Sequence, residues 1–193
     1  MASTCITILV LTLLSVQTEA ASMSAKKALA ELEKPRNFIE DLSIIDTEIN
    51  VIDKKMKLTA DDQKFEELHD MFVGAISKLS HFLTKRSEDV NVILDWLKTR
   101  TERTTAERTA ELVTAKTHVL VALHDMRTLI DRVDVDRENL IYPLNPGMKD
   151  MDKIREIVAD FVAKYPPKRR QILAALDNGM NSIKAHMTKH GAA

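Results

Sequence analysis

The sequence predicts an all-α protein: a secreted helical bundle of five or six helices with one long central helix and no disulfides. Three observations carry this. Apolar residues recur at spacings of three and four along most of the chain, and no stretch alternates as a strand would. Glycine and proline are scarce, four and five in 193 residues, which leaves few natural interruptions. The one cysteine, Cys5, lies in the apolar run CITILVLTLL of residues 5–14. That run has the length of a signal-peptide core, and Thr18 and Ala20 occupy the −3 and −1 positions of a cleavage site after Ala20. It is too short to cross a bilayer, which needs about 20 apolar residues. Residues 1–20 therefore read as a signal peptide and 21–193 as one extracellular helical domain, free of cysteine once the leader is removed.

Small secreted domains usually rely on disulfides. Here stability has to come from apolar packing, and the roughly 173 residues left after cleavage are enough to bury about 70% of the unfolded surface. Loss of Glu19 with the leader brings the 29 acidic residues to 28, level with the 28 basic ones. A neutral, mixed surface gives no electrostatic case for nucleic acid or an anionic membrane as partner, and no later segment supports stable membrane insertion. No N-x-Ser/Thr sequon is present.

Taken in order, Phe38, Leu42, Ile45, Ile49, Ile52 and Met56 form a heptad stripe. Pro35 just before it suits a helix start and would break any helix running on from residue 25. Residues 25–57 thus read as an amino-terminal helical extension, and helix 36–57 permits pairing into a homo-oligomer as readily as packing within the chain. Thr59, followed by Asp61 and Asp62, opens a second helix with Phe65, Leu68, Phe72, Ile76, Leu79 and Leu83 inward. Ser87 with Glu88 and Asp89 repeats that start signal. The third helix carries Val90, Ile93, Leu94, Trp96 and Leu97, then a polar interval over 98–111, then Leu112, Ala115, Val119, Ala122, Met126, Ile130 and Val133. With no Gly or Pro in the interval, the expected structure is one continuous or slightly kinked helix projecting into water there; the competing expectation is a break capped by Thr104 and Glu107. Residues 134–149, with Pro143, Pro146 and Gly147, read as a loop, its core 136–149. A helix follows from Asp150 or Asp152, ended by Pro166-Pro167, and a last helix carries Ile172, Leu173, Leu176, Met180, Ile183 and Met187. Asn178-Gly179 is a candidate early stop for it.

No constellation of an enzyme is present: no cysteine nucleophile, G-x-S-x-G, phosphate-cradling glycine loop or H-E-x-x-H. The chain reads as non-enzymatic, acting by binding. The metal-site candidate is the acidic run Asp131, Asp134, Asp136 and Glu138, whose hard oxygens suit calcium or magnesium. The EF-hand pattern it mimics fails, because Asn139 stands where glycine is needed and Asn145 where the bidentate glutamate is needed. Arg132 and Arg137 also neutralise the run locally. His186 and His190, four apart, share a helix face as two metal ligands would, but near a chain end they read as a solvated tail. Met56, Met71, Met126, Met151, Met180 and Met187 on inner faces suggest either ordinary core or an adaptable cavity for a small hydrophobic ligand such as a fatty acid. A helical protein–protein interaction module is the third reading.

The stretch Asp89 to Leu97, DVNVILDWL, and the later KYPPKRRQIL resemble the nematode SXP/RAL family of small secreted helical antigens over roughly residues 65–178. The resemblance implies an extracellular antigen with modest divalent-cation affinity. The glycine pair that often follows the tryptophan in that family is Lys98-Thr99 here, and the amino-terminal heptad helix is additional.

Overall fold

The computed structural model describes residues 23–141 and 151–191. The leader with Cys5, the cleavage site and residues 142–150 of the expected loop lie outside them. The described chain is helical with no strand: α1 (Ala25–Asp41), α2 (Ser43–Leu58), α3 (Asp62–Arg103), α4 (Ala106–Ile141) and α5 (Met151–His190). Leu42 alone separates α1 from α2 and keeps right-handed helical torsions (φ −61°, ψ −4°), so these segments make four helical rods.

Several expected boundaries are absent, each for a local reason. Pro35 sits inside α1 and is buried there; the helix starts earlier, where Ser24 Oγ accepts from the Lys27 N–H at 3.2 Å, a cap on the free donors of the first turn. Asp61 rather than Thr59 opens α3, its carboxylate accepting from the Lys64 N–H at 2.7 Å. Ser87 starts nothing, because its hydroxyl donates back to the Thr84 carbonyl at 2.7 Å and α3 runs through. Pro166 and Pro167 lie inside α5. They cost it the N–H donors for the Val162 and Ala163 carbonyls, yet Phe161, Tyr165, Ile172 and Leu176 are buried on both sides of the pair. Packing of an apolar face commonly decides helix persistence over propensity. Asn178-Gly179 likewise lies inside α5 and does not end it. The sequence 134–141 is helix rather than loop, since Val133, Asp136 and Leu140 continue the inward face.

The reverse correction falls on the polar interval. The chain turns at Thr104-Thr105, with the Arg108 N–H donating to the Thr105 carbonyl at 3.0 Å. Threonine offers its backbone alternatives to the helical ladder, and this interval has no large apolar residue to hold a straight rod. Thr109 is buried just beyond the turn, while Lys98, Glu102, Arg103, Thr105, Glu107 and Arg108 are exposed, so the interval is a solvent-facing corner rather than one continuous helix.

The chain divides into two compact units, each built from separated stretches. The first comprises described residues 23–36, 88–123 and 174–191. Its core includes Leu32, Ile93, Trp96, Leu97, Leu112, Val119, Leu176 and Ile183. The Trp96 indole N–H donates to the Met23 carbonyl at 2.7 Å. Helices α4 and α5 approach closely at Gly179, where a Cβ would stand 3.0 Å from Val119 Cγ2.

The second unit comprises described residues 37–87, 124–141 and 151–173. Most of the heptad stripe packs inside it: Leu42, Ile49, Ile52 and Met56 are buried, and Phe38 and Ile45 are half-buried. Arg155 of α5 closes the end of α2, donating to the Met56 and Thr59 carbonyls at 3.1 and 2.9 Å with its guanidinium 4.9 Å from the Phe65 ring centre. Phe72 meets Phe161 edge to face, centroids 5.7 Å apart. The methionines divide: Met56, Met126 and Met180 are core, whereas Met71 is exposed.

Candidate functional site

The second unit contains a pocket of about 240 Å³ between α4 and α5, lined by Thr128, Leu129, Arg132, Asp136, Phe161, Lys164, Tyr165 and Lys168. The lining follows from helical spacing. On α4, residues 128, 129, 132 and 136 rise in steps of three and four along one face; on α5, residues 161, 164, 165 and 168 do the same. Leu129 and the stacked rings of Phe161 and Tyr165, centroids 5.4 Å apart, supply an apolar wall. Three cations and a single carboxylate supply the polar lining.

Those charges are organised into pairs. Arg132 Nε donates to both carboxylate oxygens of Asp136, at 3.1 and 3.0 Å, and its other arm reaches Asp160. Lys164 binds Asp160 at 2.6 Å, and Lys168 donates to Asp125 at 2.6 Å. Asp136 is only 5% exposed; burial pushes its carboxyl above the usual carboxylate range, with Arg132 opposing the shift. Lys164 holds the more open Asp160 carboxyl below that range. Burial likewise raises the Tyr165 phenol, and the nearby Asp46 carboxylate adds to the shift.

The structure sorts the predicted metal residues. Asp131 and Glu138 face solvent. Asp134 accepts from Ser80 Oγ at 2.9 Å and lies 3.7 Å from Arg137. Asp136 is turned to Arg132. The four carboxylates are thus distributed among separate partners and surroundings, and the candidate metal-ligand group found among the described residues lies elsewhere. The neutralising arginines are legible in the sequence. Lys164, Tyr165 and Lys168 are not, because only an uninterrupted helix through Pro166-Pro167 places all of them on the face of Phe161.

The histidine pair departs from the solvated-tail expectation. His186 is buried, and it lies with His190 and Glu111 at one place in the first unit. No family model, curated protein or solved structure matches this chain. No described helix is long and apolar enough to cross a membrane.

Proposed function

We propose that this is a secreted, non-enzymatic helical binding protein whose second unit takes up a small amphipathic anion, a carboxylate with a short apolar body. The observation that carries the reading is the lining of the pocket: an aromatic and leucine wall beside Arg132, Lys164 and Lys168. Ligand sites combine an apolar surface with a few placed polar groups in this way. At about 240 Å³ the pocket is smaller than the roughly 300–1,000 Å³ of drug-sized sites, which favours a short chain or the head of a longer fatty acid. Lysines 164 and 168 are the adaptable recognition groups, since each ammonium sits on a flexible four-carbon stem that can turn from its aspartate to a ligand carboxylate. The resemblance to secreted nematode antigens fits an extracellular setting for such a carrier.

Octanoate titrated calorimetrically into the full chain tests this. Saturable binding, weakened about tenfold or more by the K164M/K168M double substitution, is expected from loss of charge-assisted bonds. Absence of heat with octanoate, or equal affinity in the double variant, overturns it. A calcium or magnesium function for Asp131, Asp134, Asp136 and Glu138 is tested in the same instrument by comparing the chain with its D134N/D136N variant.

A further inference from the structure

A second site stands in the first unit and involves none of the pocket residues. Glu111 on α4 and His186 and His190 on α5 each offer one ligand atom, all three within 4.8 Å of one another. The i, i+4 spacing on α5 puts both imidazoles on one face, with ring centroids 5.1 Å apart, and α4 brings the carboxylate to them. The two histidines also line a pocket of about 130 Å³ with Trp96, Arg100, Thr104, Arg108 and Leu112, and Glu111 stands next to Leu112 on the α4 side.

What distinguishes this cluster from an ordinary polar surface is unmet bonding capacity. His186 is 9% exposed, and its Nδ1 has no hydrogen-bond partner. Glu111 Oε2 is buried and has none either; it sits 3.8 Å from His190 Nε2. Buried polar atoms are nearly always satisfied, and an exception calls for an explanation such as an ion. A divalent ion held among the three would give this cluster bonding partners that the fold does not supply.

We propose that Glu111, His186 and His190 form a binding site for a zinc-class divalent transition ion. Two imidazoles and one carboxylate are a common three-ligand set for zinc, with the fourth position left to water or a further ligand. Tetrahedral bonds of about 2.0–2.1 Å put ligand atoms roughly 3.3 Å apart, so closure needs only rotamer adjustment from the present spacing. Borderline nitrogen donors select zinc, nickel or copper over calcium and magnesium.

The opposing charges set the strength. Lys189 Nζ donates to Glu111 Oε1 at 2.8 Å and must release it; its side chain is more than half exposed and can turn into water. Arg100 and Arg108 line the same pocket and repel a cation. Affinity is accordingly micromolar rather than nanomolar.

The test uses the full chain without a histidine tag, stripped with chelator and titrated with zinc against a chromogenic zinc indicator. One equivalent bound with a Kd of about 1–10 μM is expected, with cobalt giving the visible absorption of a low-coordinate site. E111Q and H190Q, both at partly exposed positions that leave the core intact, each weaken binding at least about tenfold. H81Q, in the other unit, leaves it unchanged. Zinc binding in E111Q and H190Q as tight as in the unsubstituted chain, or no binding by that chain below about 1 mM, overturns the assignment. Octanoate binding is read separately and tests only the other unit.

Discussion

The acidic run on α4 and the histidine pair on α5 both carry ligand chemistry in the sequence, yet folding treats them in opposite ways. In the second unit, Asp136 is buried against Arg132, and Asp134 is held by Ser80 and Arg137. In the first unit, His186 Nδ1 and Glu111 Oε2 are buried with no hydrogen-bond partner. Ligand-type residues whose atoms are already matched serve the fold. Those that folding leaves unmatched are where an added ion has free energy to gain.

That contrast is open to direct attack. The largest expected effect belongs to R132M. Removing the guanidinium leaves Asp136 buried and unpaired, a loss of about 2–3 kcal/mol in urea unfolding, below the full cost of breaking a buried pair because Arg132 is partly exposed. A carboxyl whose folded pKa is raised is most compatible with the fold when protonated. The R132M deficit should therefore be greatest at neutral pH and shrink as pH falls into the range where Asp136 takes up its proton. A deficit below about 0.5 kcal/mol at pH 7 would show that the pair does not organise this unit.

The sign should reverse at His186. H186L, measured in chelator, replaces an unsatisfied imidazole by an apolar side chain with better helix propensity, and should gain about 1 kcal/mol while abolishing zinc binding. Burial lowers the proton affinity of the folded imidazole, so the unfolded form binds more proton as pH falls. Stability should then fall as pH drops below about 6.5, the usual histidine value, and H186L should flatten that slope. A destabilised H186L in chelator would mean that the imidazole already has a structural partner.

The smallest test compares glycines. A methyl added at Gly74 in α3 would meet nothing within 4 Å, so G74A should gain about 0.5–1 kcal/mol from helix propensity. At Gly179 the same methyl would meet buried, stiff Val119 at 3.0 Å, and overpacking should cancel the gain or turn it into a loss of up to about 1 kcal/mol. Equal melting shifts for the two would deny the close α4–α5 approach beside the histidine site.

Much of the architecture is legible in apolar spacing. The helical period turns Phe65, Phe72, Ile76, Leu79 and Leu83 inward, and all are buried, as are Ile49, Ile52 and Met56. Short-range charge pairing is legible too, because Arg132 with Asp136 and Arg137 with Asp134 are fixed by helical periodicity. Boundaries are less so. Proline and serine signals at Pro35, Ser87 and Pro166 are local, while the energy that carries a helix through them comes from residues far along the chain. The candidate zinc site is hidden for the same reason. His186 and His190 advertise themselves by spacing, but Glu111 lies on a different helix, in a stretch of alternating charges. Only the turn at Thr104-Thr105, which sends α4 back along the first unit, makes that glutamate distinctive.

The hydrogen bond from the single tryptophan to the Met23 carbonyl gives the molecule a built-in optical probe. Trp96 emission senses only the first unit and the docking of the chain where α1 begins, whereas the Phe161–Tyr165 stack lends its near-ultraviolet signature to the second. Two colours of signal therefore divide along the same line as the two proposed ligands. Zinc should perturb Trp96 and octanoate Tyr165, each leaving the other's spectrum still.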